Sequence, residues 1–303
     1  MSAGFDRLGA TSVATEPYLE APLPPLLYEG HVRAALLEDL GRAGDLTSDA
    51  VLPPGVRGEA LAVARRAGRI AGLEVGLSAF RLLDPSVEIE IVGGKGWDGR
   101  DAEAGETLAI VRGPARSVLG AERTMLNYLG HLSGIATVTR DVVALAAPYG
   151  TRVACTRKTT PGLRALEKYA VRMGGGSNHR FGLDDAILIK DNHRALAGGV
   201  RPAVERARRA IGHLVKIEVE VETLEQLDEA LEVRVEAVML DNMPLALLRE
   251  AVQRGKGRAI LEASGGITPE TAADVAATGV DLLSIGWITH SAPNLDVALD
   301  VRV

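Results

Sequence analysis

Between Thr156 and Lys190 the chain gathers side chains suited to gripping anions. Thr156-Arg157-Lys158-Thr159-Thr160-Pro161-Gly162 sets a guanidinium and an ammonium beside two hydroxyls, then turns at Pro-Gly into the helical pattern LRALEKYAV. A turn of this kind leaves backbone N–H groups free for a negative group at the start of the helix. Spacing alone also allows a solvated basic turn. Further on, Gly174-Gly175-Gly176-Ser177-Asn178-His179-Arg180 adds three glycines, which permit close approach of backbone to a ligand, and two more donors. Arg180 has the planar fork that holds a carboxylate or phosphate through two parallel bonds. Lys190 closes the set at the end of the apolar run AILIK. Residues 152–194 carry nine Lys/Arg against four Asp/Glu, a surplus of five within a chain of net charge −6. Such an island concentrates an anion locally, whereas the protein as a whole repels one.

A second chemistry follows downstream. Glu218, Glu220 and Glu222 alternate along one apolar strand, so they share a face, and Asp241 ends the next strand. Carboxylates converging in this way suit sugar hydroxyls or a hard cation such as Mg²⁺. A single inward glutamate with structural partners is the alternative. Glu262-Ala263-Ser264-Gly265-Gly266-Ile267 then leads into Thr268-Pro269-Glu270, and Ser284-Ile285-Gly286 follows the next strand. Small residues after two late strands, one of them opening a helix, match the phosphate site of βα barrels. Phosphate pocket, hydroxyl and metal region, and cationic pocket together describe a phosphorylated ribose bound beside a small acid.

The elements that must position these groups are legible as patterns. Apolar runs at 186–190, 216–221, 237–241, 259–263 and 282–286 alternate with helical stretches such as VETLEQLDEALE, which is the rhythm of parallel βα units. Their ends are Lys190, Glu220, Asp241, Ser264-Gly265-Gly266 and Gly286, and in a parallel barrel these ends face one mouth. A doubly wound sheet would carry a Gly-rich fingerprint after its first strand, and none is present. Upstream, β-type runs and one helix near 72–83 make an α+β domain over about 58–112. The helical spacing at 116–147 predicts two connecting helices, divided after Ser133-Gly134. An N-terminal helix begins with the pattern Leu26, Leu27, Val32, Leu36, Leu37, and residues 1–25 read as a flexible extension.

Composition removes other classes. Aromatics are 3% and the net charge is negative, so nucleic acid is not an expected partner. No stretch approaches the roughly 20 apolar residues of a membrane span, and no secretory leader is evident. A cytoplasmic location is the expectation. The single cysteine, Cys155, excludes an internal disulfide. Its apolar neighbours predict a buried, structural thiol.

The stretch TRKTTPGLRALEKYAVRMGGGSNHRFGLDDAILIKDNH closely resembles the signature region of the quinolinate phosphoribosyltransferases, the decarboxylating nicotinate-nucleotide pyrophosphorylases. The likeness continues in GDLTSD, AERTMLNYLGHLSGIAT, IEVEVET, MLDNM, EASGGI and SIGWITHSAP. It implies an α/β protein made of an N-terminal α/β sandwich (26–133) and an incomplete, seven-stranded α/β barrel (134–290). A tail (291–303) would return to the first domain. It implies a homodimer in which Arg123 reaches the partner's barrel. The reaction would join quinolinate to phosphoribosyl pyrophosphate with Mg²⁺, giving nicotinate mononucleotide, pyrophosphate and carbon dioxide. By position, Arg123, Arg157, His179, Arg180 and Lys190 would hold the quinolinate carboxylates, with Lys158 beside both substrates. Glu220 and Asp241 would bind ribose hydroxyls and the metal; Ser264, Gly265, Gly286 and His290 would surround the phosphate. Lys158, Glu220 and Asp241 are the expected catalytic set. A paralogue acting on nicotinate is the nearest rival, but a monocarboxylate needs fewer cations than RKTT, NHR and Lys190 supply.

Overall fold

The computed structural model describes residues 21–93 and 96–302, so most of the expected extension over 1–25 lies outside the described residues. Twelve strands are formed among them: β1 (Arg57–Ala64), β2 (Gly68–Arg69), β3 (Glu88–Ile91), β4 (Asp101–Ala102), β5 (Thr107–Pro114), β6 (Arg152–Ala154), β7 (Ile187–Ile189), β8 (Ile217–Val221), β9 (Ala237–Asp241), β10 (Ile260–Ser264), β11 (Leu282–Ser284) and β12 (Val297–Arg302). The first half builds an antiparallel sheet in the order β12-β1-β5-β3. In β3 the period-two pattern sends Ile89 and Ile91 inward and leaves Glu88 and Glu90 in solvent. The helix Leu73–Leu83 supplies the covering layer, burying Leu73, Val75, Leu77 and Phe80. Asp98 caps its start, accepting from the backbone N–H groups of Gly72 and Leu73. The last strand of the chain, β12, pairs with β1 in this sheet.

One 32-residue helix, Ala115–Ala146, runs where two were expected. Ser133 and Gly134 read as a break, but tertiary packing explains both residues. The Ser133 hydroxyl accepts from the Ala71 N–H at 3.1 Å and donates to the Ala71 carbonyl at 3.2 Å. Gly134 lies under the segment leading to β12, where a Cβ would stand 2.1 Å from the Pro293 carbonyl oxygen. The smallness of these residues serves contact between elements, and the helix passes through unbroken.

The second half is a parallel sheet in the order β6-β11-β10-β9-β8-β7, with helices between successive strands. A seventh position is marked by a single parallel bridge between Ala154 and Ser177 on the outer side of β6. Among the described residues no pairing joins that position to β7, so the barrel is incomplete. The central strands bury mostly apolar side chains, with Val219, Val221, Val238 and Leu240 fully enclosed and Glu220 and Glu262 the buried charged exceptions among them, as expected where helices cover a parallel sheet. β6 escaped the sequence pattern because its apolar run, Val153-Ala154-Cys155, is short and follows an arginine.

Gly134 carries a prediction. Gly134→Val would drive a side chain into the Pro293 backbone and should cost about 3 kcal/mol. Urea unfolding checks it; unchanged stability would show that the C-terminal segment is not held on this helix.

Candidate active site

Parallel pairing decides which residues meet at the barrel mouth. The β7–β8 register pairs Ile189 with Val219, so the next residues, Lys190 and Glu220, stand side by side. Asp241 pairs with Ser264, and Ser264 with Ser284. Around these ends lies a cavity of about 680 Å³, lined by Arg157, Lys158, His179, Arg180, Lys190, Glu220, Asp241, Ser264, Gly265, Gly286 and His290. Eleven of the twelve residues that the resemblance assigned to substrate binding therefore share one space. Arg123 does not: it is exposed and lines a second cavity of about 520 Å³ with Glu38, Asp39, Asn127, Tyr128 and His131.

The cavity is divided by charge. On one side Arg157 and Arg180 adjoin, and each has a buried Nε with no hydrogen-bond partner. Arg180 is steadied through its Nη1, which donates to the Ala186 carbonyl at 2.7 Å. Burial, and then the charge of Arg157, lower the Arg180 guanidinium below its ordinary value. Among the described residues neither cation has a carboxylate at salt-bridge distance, although Glu218 and Asp185 act on Arg180 from farther off, and two such cations that repel each other make a site for an anion. On the other side Lys190 Nζ donates to Glu220 Oε2 at 2.7 Å, and Asn242 Nδ2 donates to Asp241 Oδ2 at 2.7 Å.

Beneath the mouth, His179 is held at both ring nitrogens. Its Nδ1 accepts the backbone N–H of Arg180 at 2.8 Å, and its Nε2 donates to Glu218 Oε2 at 2.9 Å. These contacts require the neutral Nε2–H tautomer. Burial opposes a second proton; Glu218 and Glu262 favour one, and the net direction is upward. The Arg180 amide nevertheless needs the Nδ1 lone pair and keeps the ring neutral. The same lone-pair argument tells against a metal at the His179, Glu218 and Glu262 cluster, because Nε2 carries the proton. Burial first, and the charge of Glu218 second, push Glu262 up to about 7.

Several expectations need correction. Gly174 and Gly176 approach the long helix, where added Cβ atoms would stand 2.5 Å from the Ala136 carbonyl oxygen and 2.8 Å from Thr139 Cγ2; they do not line the cavity. Just before the Pro-Gly turn, the Thr160 N–H donates to the buried carboxylate of Glu167 at 3.1 Å. The donor of His179 is committed to Glu218 rather than open to the cavity. The three glutamates do not act together: Glu218 turns inward, Glu220 meets Lys190, and Glu222 is exposed beyond the strand end, 3.9 Å from Arg194. Cys155 is fully buried, as expected.

Other residues were missed. Asn242 adopts a left-handed conformation (φ 52°) and lines the cavity. Its side chain stands where a Cβ on Gly265 would fall, 2.2 Å away, and Gly265 itself has φ +96°. Glu262 was visible only as one charge inside the apolar strand AILEA.

This fold and this rim define a barrel enzyme that handles an anionic, polyhydroxylated substrate. Residues 45–133 match the family model for the quinolinate phosphoribosyl transferase N-terminal domain, and residues 135–300 match the model for its C-terminal domain. The chain is 46% identical over 268 residues to the probable nicotinate-nucleotide pyrophosphorylase (carboxylating) of Bacillus subtilis, covering 88% of this chain and 91% of that protein. It is 46% identical over 280 residues to the nicotinate-nucleotide pyrophosphorylase (carboxylating) of Mycobacterium leprae, covering 89% and 95%. The solved nicotinate-nucleotide pyrophosphorylase of Francisella tularensis superposes with a TM-score of 0.87 at 37% identity, covering 92% of this chain and 98% of that one. The chain belongs to the quinolinate phosphoribosyl transferase family.

The buried carboxylate yields a pH prediction. Glu262 titrates higher folded than its ordinary value of 4.5, so its protonated form favours the fold; that contribution is lost as pH rises from 4.5 through about 7. Glu262→Gln mimics the protonated form and should gain thermal stability relative to wild type between pH 5 and pH 8. A melting-temperature difference that stays flat over that range would refute the assignment.

Proposed function

We propose that the barrel mouth joins quinolinate to phosphoribosyl pyrophosphate, and that the unpaired Arg157–Arg180 pair carries this reading. Two adjoining guanidiniums without a carboxylate of their own match a ligand with two neighbouring carboxylates. Lys158 is exposed at the cavity beside them and serves both substrates. Glu220 and Asp241 face the ribose hydroxyls, and Ser264, Gly265, Gly286 and His290 surround the phosphate. His179 acts from below by fixing the Arg180 backbone, with which it shares a hydrogen bond at 2.8 Å.

The chemistry then follows from placement. The ring nitrogen of quinolinate attacks the anomeric carbon as the bond to pyrophosphate breaks. Positive charge develops on the sugar in that step, so orientation and neutralisation of the leaving group lower the barrier. Glu220 and Asp241 can hold the developing sugar cation while Lys158 faces the departing anion. Loss of the carboxylate beside the ring nitrogen leaves an electron pair on carbon next to a cationic ring, which the fixed guanidiniums stabilise until the carbon takes a proton. No protein nucleophile is required.

The carboxylates of Glu220 and Asp241 fit Mg²⁺ held largely through water and substrate oxygens, because Glu220 is already paired with Lys190. Bound there, the ion would neutralise pyrophosphate. A homodimer completes the reading: Arg123 is exposed away from its own barrel mouth, and Leu26 and Leu37 of the adjoining N-terminal segment are 93% and 71% exposed. Apolar side chains so placed suit burial against a second copy. An enzyme without a nucleic-acid partner accords with the negative charge, and among the described residues no helix is long and apolar enough to cross a membrane.

Purified protein given quinolinate, phosphoribosyl pyrophosphate and Mg²⁺ should form nicotinate mononucleotide and carbon dioxide; turnover of nicotinate instead would overturn the reading. Arg157→Ala should lower turnover by roughly two to three orders of magnitude, while thermal stability holds or rises because an unpaired cation is removed. Mixing inactive Arg123→Ala and Arg157→Ala chains should restore about a quarter of wild-type activity, since mixed dimers keep one intact site. No recovery would place Arg123 outside the partner's site.

A further inference from the structure

The two small-residue loops at the mouth are joined by one side chain. Trp287 donates its indole N–H to the Ile267 carbonyl at 2.8 Å. Ile267 ends the Ser264-Gly265-Gly266 loop after β10, and Trp287 follows Gly286 after β11; all of them line the cavity. Backbone pairing between these strands ends at Ser264 and Ser284, so the loops beyond it need another tie. The first is packed on one side only: Gly265 (φ +96°) lies against the Asn242 side chain, whereas Gly266 (φ +59°) has open space beside it.

The second loop is anchored on its far side. Thr289 donates its hydroxyl to the Lys158 carbonyl at 2.8 Å, and Gly286 lies against the Lys158 side chain, where a Cβ would stand 3.0 Å from Cδ. A continuous run therefore leads from the basic turn through Thr289 and Gly286 to Trp287, and across the indole bond to the glycine loop. Asn242 holds the near end of the glycine loop through the Ser264 carbonyl, but among the described residues only the indole bond ties the loop beyond the strand ends to that of Gly286.

We infer that Trp287 is a positioning residue that sets the distance between the two loops receiving the phosphate end of phosphoribosyl pyrophosphate. It rests on the substrate assignment above, and it acts through the backbone of both loops. An interaction that orients a remote phosphate equally in ground and transition states alters KM and leaves kcat alone.

Two measurements test it. Trp287→Phe keeps a ring and removes the N–H; Trp287→Ala removes both. The KM for phosphoribosyl pyrophosphate should rise roughly three- to tenfold in the first and further in the second, with kcat and the KM for quinolinate within about twofold of wild type. The chain has two tryptophans, and the other, Trp97, is buried under Arg100 in the N-terminal half. In a Trp97→Phe background, or as the difference between wild type and Trp287→Phe, tryptophan emission should shift on titration with ribose 5-phosphate and stay still with quinolinate. An unchanged KM for phosphoribosyl pyrophosphate, an equal rise in both KM values, or emission silent to ribose 5-phosphate would overturn the inference. Wild-type protein that responds to ribose 5-phosphate in emission yet fails to turn over quinolinate would overturn the substrate reading and leave the role of Trp287 standing.

Discussion

Two guanidiniums held together with no carboxylate at salt-bridge distance among the described residues are the constraint on which the rest of this structure turns. Arg157 follows β6 and Arg180 follows the residue that bridges to it, so neighbouring segments of the barrel hold the two side chains near each other. Burial first, and their mutual repulsion second, lower the Arg180 guanidinium, and that repulsion would spread the segments apart if nothing opposed it. The opposition comes from behind. Lys168, fully buried, donates to the His179 carbonyl at 2.7 Å, and Glu218 holds the His179 ring whose other nitrogen takes the Arg180 amide. Glu167, also fully buried, accepts from Thr160 and His131 and fixes the end of the basic turn. The cation pair is thus a preorganised demand for a ligand, sustained by a hydrogen-bonded polar layer beneath it in which Glu218 Oε1 and Glu262 Oε1 stay without partners.

That layering divides the basic island into two kinds of charge. Arg157, Lys158, Arg180 and Lys190 reach the cavity. Lys168 does not, and burial lowers its ammonium; Arg164 donates to the Phe181 carbonyl at 2.9 Å, and Arg194 is buried near Glu222. A surplus of five counted along the chain is therefore a poor measure of the field in the site. The useful quantity is the smaller set of cations that lack internal partners.

Much of the machinery was legible beforehand because parallel βα units make sequence position and spatial position nearly equivalent. Once Lys190, Glu220, Asp241, Ser264 and Gly286 are recognised as strand ends or the residues just beyond them, a common rim follows from register. The misreadings share one cause. Ser133-Gly134 and Gly174-Gly175-Gly176 were taken at local value, as a helix break and as a ligand loop, yet Gly134, Gly174 and Gly176 are small because another backbone lies against them. Glycine required by a distant segment looks the same as glycine required by a turn or a ligand.

What this sequence determines by itself is the inventory and its order: cations after the early strands, carboxylates after the middle ones, small residues after the last. Local periodicity and chain direction suffice for that, since each strand end is a local event. Only the tertiary structure decides which charges stay unpaired, because pairing depends on side chains far apart in the chain, such as Lys190 with Glu220 or His179 with Glu218. It alone shows that His179 has no donor left for the cavity and that Arg123 faces away from its own barrel mouth. It also ties the glycine loop at Ile267 to the loop at Trp287. Such contacts are set by packing across the barrel, and no spacing along the chain encodes them.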